Sequence, residues 1–406
     1  MSRDYAAHFG GIRYPFQADK LSLFMAIGAD LIHAEIDRDD MELRHLHQVT
    51  LAAPIQYVWP HPDRNILYVA TSNRSISPDD DCHTLATVSV DNKTGKFDVL
   101  AEVMLPTRPI HLTVDTHARN VLVVYNAPSL ITCHPIDSAG MAGRALDTDA
   151  SPSPWSGIFP HQVLMLPDTQ VAVVVARGNH PRGNRPEEPG SLELISVGDE
   201  GLKHVETVAP NGGFGFGPRH LAFHPNGRWA AVALERQNML HIFRVEGDRI
   251  AAEPIAQVST VSDDLADEGI SQLAGTLRFH PSGDYLYVVN RNDNAVYKET
   301  EAPSSYSGNN IAVFGFDPES GHATCIQHIP TESVHVRTIS LDVSGNVLVA
   351  ASILPGKVMR DGVEENLPAR LSCFRVDGDG RLTLVRVHDQ GNEDLSLFWS
   401  HLNGCG

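Results

Sequence analysis

The chain is poor in positive charge and has no long apolar run. Its 406 residues carry 31 Lys and Arg against 50 Asp and Glu, a formal net charge of −19. That balance excludes a broad nucleic-acid or anionic-membrane surface, which needs a basic face. No stretch approaches the roughly 18 apolar residues of a membrane helix, and MSRDYAAHFGGIRYPF at the start lacks the apolar core of a signal peptide. The five cysteines (Cys82, Cys133, Cys325, Cys373 and Cys405) are scattered and form no CxxC or Cys/His metal spacing. They read as reduced thiols of a cytoplasmic protein. There is no GxSxG elbow and no Walker motif. The glycines of NGGFGFG from Asn211 precede a strand pattern rather than a helix, which argues against dinucleotide binding. Helical periodicity is nearly missing too, with one candidate short helix between Asp263 and Leu273.

What is present is a repeat. PIQYVWPHPDRNILYVATSN from Pro54 has relatives starting at Pro109, Pro160, Pro218, Ala274 and His335. Each reads as a short apolar strand, a turn of the HPxG kind, then a strand rich in Val, Ala and Tyr. The starts are about 50–60 residues apart, the spacing of propeller blades with long loops. Most are followed by a further strand pair around an acidic-Gly turn, as in NMLHIFRVEGDRIAAEPIAQV and LSCFRVDGDGRLTLVRVHD. Four antiparallel strands per repeat make one blade. Six such units are visible. The N-terminal LSLFMAIGADLIHAEID and LRHLHQVTL supply three more strands, and NEDLSLFWSHL at the other end supplies one. The expectation is an all-β, seven-bladed β-propeller over 1–406, closed by terminal strands that share one blade, with residues 1–18 as an extension.

In such a hairpin the start of the first strand and the end of the second meet at one end of the sheet, so residues about fifteen apart become neighbours. First-strand starts then bring His161, Arg219, His220, His335 and Arg337 to one mouth, with Gln56 and His111 from earlier blades. Second-strand ends bring Arg177, Glu235 and Arg291, with Asn73 and Asn126. The opposite, turn-bearing ends (Asp63, Asp168, Asn226, Asp284) show no basic surplus. His61, His117, His224 and His280 fall on that turn side and read as turn or packing residues. A cationic mouth in an acidic body is suited to a small anion. Long connections such as RSISPDDDCH, RGNHPRGNRPEEPG, NDNAVYKETEAPSSYSGNN and LPGKVMRDGVEENLPA would hang over the same mouth as binding walls. Some of them are equally suited to the contacts of a homo-oligomer.

GPRHLAFHPNGRWAAVALERQN, PHQVLMLPD, LRFHPSGDYLYVVNR and FGFDPESGHATCIQHIPTESVHVRTISLDVSGN resemble the seven-bladed lactonase family. That family includes cycloisomerase-type 6-phosphogluconolactonases and 3-carboxy-cis,cis-muconate lactonizing enzymes. The resemblance runs from about Leu21 to Leu402. It implies a lactone-processing enzyme with no cofactor and no metal, acting on a small anionic lactone or carboxylate. The family's mouth residues fall on His161, Arg219 and Glu235 as catalytic groups, with Arg291 and Arg337 on the substrate. His220, Arg177 and His335 line the same mouth. The second PR motif here reads HVR without its proline, and the third and fifth blades carry enlarged loops. Both departures alter the walls around the anion.

For hydrolysis, Glu235 is expected to orient water as a base, His161 to donate to the leaving alkoxide, and Arg219 to hold the oxyanion. A lactonising isomerase would use the same groups, with Arg placing the carboxylates and His or Glu supplying a proton to carbon. A non-catalytic propeller that binds a small acid or a protein is the rival from another class. Asn73 and Asn126 hint at the divalent ion of a different, six-bladed lactonase type, but no clean Glu/Asn/Asp set accompanies them.

Overall fold

The computed structural model describes residues 12, 19–74, 80–146, 155–198, 201–262, 271–292, 304–305, 308–353, 356–360, 363–390 and 397–403. Among these, helix is limited to one 3₁₀ turn at Pro210–Gly213, and the rest of the regular structure is strand. Seven antiparallel sheets form the blades. Their inner strands are Ile55–Pro60, Pro109–Val114, Pro160–Met165, Pro218–Phe223, Gln272–Phe279, Val336–Leu341 and Leu397–Asn403, for blades 1 to 7.

The seventh blade takes its inner strand, Leu397–Asn403, from the C-terminal part of the chain. Its three outer strands, Lys20–Ile27, Asp30–Asp37 and Leu43–Thr50, come from the N-terminal part. Two of the sheet edges that an open ring would expose are thereby paired. Burial falls from the axis outward. Pro160–Met165 and Val171–Ala176 are buried at every position, whereas the outermost Phe97–Met104 is mostly exposed. A strand buried on both faces needs a continuous apolar run, and VAVVVA supplies it.

Two blades depart from the four-strand expectation. Blade 2 has three strands among the described residues, and Gly143 and Leu146 donate their N–H groups to the outer strand's Pro135 and Cys133 carbonyls in place of a fourth. In blade 4 the acidic-Gly turn closes on a two-residue pair, and Ala256–Ser259 forms the outer strand further along. The helix expected at Asp263–Leu273 lies mainly at 263–270, outside the described residues. Gln272 and Leu273 begin the inner strand of blade 5. The long connections of blades 5 and 6 join where Ser304–Ser305 pairs in parallel with Val358 and Met359.

The HPxG turns act as staples between blades. His224 accepts the Asn226 N–H at Nδ1 (3.0 Å) and donates from Nε2 to the Gly283 carbonyl of blade 5 (3.0 Å). His280 does the same with Ser282 (3.1 Å) and Gly345 of blade 6 (3.1 Å). Gly283 has φ +85°, and a Cβ there would stand 2.5 Å from His224 Nε2. The glycine thus serves the turn and the neighbouring histidine together.

Candidate active site

A β-bulge opens the inner strand of every blade. The register skips Gln56, Ile110, His161, Arg219, Arg337 and Phe398 in blades 1, 2, 3, 4, 6 and 7. In blade 5 it skips Gly275 and Thr276. A bulged residue is left out of the ladder and its side chain is re-aimed. The first-strand residues His161, Arg219 and Arg337 expected at the mouth are three of these skipped positions.

Glu235 follows the second strand of blade 4 directly, and it is 2% exposed. Its Oε2 meets Arg177 Nη1 at 2.7 Å, and its Oε1 meets Arg219 Nε at 3.0 Å and Arg291 Nη2 at 2.7 Å. Burial alone would raise its pKa. Arg291, Arg219 and Arg177 outweigh burial and hold the carboxyl well below the usual carboxylate range. A carboxylate so held is ionised but a weak base, which moves Glu235 away from the expected role of base and toward that of an anchor for three guanidiniums. Arg291 reaches it from blade 5, also donating to the Ala274 carbonyl (3.2 Å). Its guanidinium occupies the room left by Gly275, where a Cβ would lie 3.3 Å from Arg291 Nε. Arg177 additionally stacks on Phe159, 4.1 Å from the ring centroid.

The histidines surround this cluster. His161 and His220 are 5.1 Å apart between ring centroids, and His220 faces His111 at 6.3 Å. His335 lies 3.4 Å from Arg291 Nη1 and has φ +57°, its N–H held by Asn309 Oδ1 at 3.0 Å. Burial, reinforced by the arginine charges, lowers all four pKa values well below the ordinary imidazole value. They are therefore neutral at pH 7. His161 therefore starts as a neutral imidazole, which must take up a proton before it serves as the imidazolium donor expected from sequence.

A second group of cations sits beside the first. Arg74 Nε and Arg108 Nε both donate to Gln56 Oε1, at 3.3 and 3.1 Å. Arg74 and Arg337 lie over the Phe398 ring, 4.8 and 4.2 Å from its centroid. Among the described residues no carboxylate pairs with Arg74, Arg108 or Arg337. Burial, then the other guanidiniums, pushes Arg337 down to about 9, and burial and Arg74 push Arg108 to about 10. All three remain charged at neutral pH. The structure thus brings all eight expected residues into one neighbourhood, with Gln56 and His111 as expected, and adds Arg74, Arg108 and Phe398. Gln56 was legible from its place at a strand start. Arg74 and Arg108 stand outside the strands, where the repeat carried no signal. Among the described residues no three His, Cys, Asp or Glu side chains gather as a metal ion requires. The hinted ligand Asn73 instead binds the Asp80 carbonyl and the Cys82 N–H.

Residues 24–358 match the family described as lactonase, 7-bladed beta-propeller. The chain belongs to this lactonase family. It is 24% identical over 321 residues to a 6-phosphogluconolactonase of Erwinia tasmaniensis, covering 79% of this chain and 84% of the relative. A 6-phosphogluconolactonase of Bacillus subtilis is also 24% identical, over 334 residues and the same shares. Among solved structures, the periplasmic gluconolactonase of Pseudomonas aeruginosa superposes with a TM-score of 0.70 at 18% identity, covering 93% of this chain and 98% of that one. That last likeness concerns the fold.

Proposed function

We propose that this member of the lactonase family hydrolyses an anionic, phosphorylated sugar-acid lactone at the mouth of the propeller. The observation that carries the reading is the pairing of two cation groups, one built around a shared carboxylate and one without. Arg177, Arg219 and Arg291 share the Glu235 carboxylate, while among the described residues no carboxylate pairs with Arg74, Arg108 or Arg337. The second group suits the substrate's charged tail, and the first, beside neutral His161, suits the reacting carbonyl.

The chemistry follows from the protonation states. His161 accepts a proton from water as the oxygen attacks the lactone carbonyl. Arg219 stabilises the tetrahedral oxyanion. Collapse breaks the ring C–O bond, and the imidazolium returns its proton to the leaving alkoxide, giving the open hydroxy acid. Glu235 fixes the arginines while this happens. Every step uses side chains and water, so a chelator leaves turnover unchanged. Cys82, Cys133, Cys325 and Cys373 form no disulfide with one another, which suits a reducing compartment.

The test is a pH-stat assay with 6-phosphoglucono-δ-lactone and glucono-δ-lactone. The reading expects faster opening than in buffer, with the phosphorylated lactone preferred. No acceleration on either lactone sinks it and leaves a binding propeller.

A further inference from the structure

The inner strands have a second, turn-bearing end, and a cation stands toward it as well. The inner strand of blade 5 reads LRFHP where that of blade 4 reads LAFHP. Arg278 therefore takes the axial place that Ala222 occupies in blade 4, as the registers Arg278↔Tyr287 and Ala222↔Ala231 show.

Arg278, Trp59, Phe223, Ser340, Asp342 and His401 line a cavity in which water molecules have about 80 Å³ to place their centres. Arg278 is half-buried. Its Nη1 donates to the carbonyl of Leu277 at 3.1 Å, and among the described residues no carboxylate pairs with it. The nearby Asp342 is already engaged by Arg38 (3.2 Å), the Ser344 hydroxyl and the Val347 N–H (2.9 Å). A half-buried guanidinium facing a cavity with room for several waters, and paired with no carboxylate among the described residues, is a place where an anion gains both charge and hydrogen bonds.

We propose that this cavity toward the turn-bearing end of the inner strands is a second anion site, anchored by Arg278 and sized for a small oxyanion such as inorganic phosphate. It is separate from the mouth but in touch with it. Trp59 lines the cavity and lies 5.8 Å from His111, which continues through His220 to His161 at 6.3 and 5.1 Å between ring centroids. His111 is buried, and neither ring nitrogen meets a hydrogen-bond partner in good geometry. Burial, then the Arg278 charge, keeps it neutral. An anion on Arg278 removes part of that pressure, so occupancy of the far site reaches the histidines of the mouth.

The experiment counts phosphate sites by equilibrium dialysis with radiolabelled inorganic phosphate. It compares the wild type, Arg278→Met, and a mouth variant carrying Arg74→Met, Arg108→Met and Arg337→Met. Arg278→Gln is read alongside Arg278→Met, and melting curves show that each is folded, so that a misfolded variant does not decide. Two equivalents are expected in the wild type, one in either Arg278 variant and one in the mouth variant. Unchanged stoichiometry in the folded Arg278 variants overturns the proposal, as does a single wild-type equivalent that the mouth variant abolishes. Loss of one equivalent with Arg278 alone, and none in the mouth variant, leaves the far site standing and removes the mouth reading instead.

Discussion

Replacing Glu235 by Gln separates an anchor from a base. The side chain keeps its shape but loses the charge that three guanidiniums share at 2.7, 3.0 and 2.7 Å. Removing one partner of a buried ion pair costs about 3–5 kcal/mol, because the remaining charge stays buried without compensation. At about 2.1 cal/mol/K per residue, a 406-residue chain unfolds with an entropy near 0.85 kcal/mol/K, so the melting point should fall by about 4–6 °C. Turnover should fall with it, since the arginines lose their placement. The pH dependence gives a second check. The folded pKa of Glu235 is depressed, so its contribution is fully present above the unfolded value near 4.3 and is lost as pH falls toward the folded one. The stability gap between wild type and variant should therefore be flat from about pH 5 to 8, then shrink by about 1.4 kcal/mol per pH unit below about pH 4. Thermal and urea unfolding across that range measure it. A variant that melts like the wild type while losing turnover would refute the anchor and return Glu235 to the role of base.

Three further outcomes are expected. Arg108→Met should lower kcat/KM for 6-phosphoglucono-δ-lactone by about 10- to 150-fold, the factor for one hydrogen bond to a charged group, and leave glucono-δ-lactone nearly unchanged; equal losses on both would remove the tail-binding role. Because His161 is held neutral, kcat/KM should be flat from pH 6 to 8 and fall only on an acid limb below the ordinary imidazole value of about 6.5; an inflection at or above that value contradicts the neutral base. Gly283→Ala should destabilise the fold by about 1–3 kcal/mol through a clash with His224 as well as backbone strain, whereas Gly247→Ala, at φ +65° with open space around it, carries the strain alone; equal losses in chemical denaturation would deny the staple.

The parts of this molecule that repeat were readable, and the parts that do not repeat were not. Valine-rich strands and turns of the HPxG kind recur six times, so the blades and the shared terminal blade follow from pattern alone. The mouth residues at strand starts and ends follow from hairpin geometry, which is why His161, Arg219, Glu235 and Arg291 could be placed together. Arg74 and Arg108 sit in connections, where no period marks them, and only packing against Gln56 and Phe398 reveals their place. Arg278 was visible in LRFHP beside LAFHP, yet its direction into the cavity needed the register. The protonation states were out of reach of sequence, because they depend on how many guanidiniums crowd each group. That is why the depressed carboxyl of Glu235 and the neutral imidazole of His161 were not foreseen.

The bulges explain why the polar side chains of the candidate site gather at the starts of the inner strands. Each inner strand must begin near the crowded axis, and in each blade one or two residues there drop out of the hydrogen-bond ladder. A residue outside the ladder has no cross-strand partner of its own, so its side chain is chosen with little cost to the sheet. The positions hold Gln56, Ile110, His161, Arg219, Arg337 and Phe398, a polar, apolar, basic and aromatic set that no ordinary buried strand would tolerate at equivalent places. Blade 5 shows the complementary solution: Gly275 withdraws, and Arg291 from the adjacent strand fills its place against Glu235. The scaffold is thus held by the valines and the HPxG staples, while the chemistry is written in one ring of residues that the scaffold does not need. Changing that ring should therefore change substrate and rate well before it changes the fold, with Glu235, which joins three blades by charge, as the exception.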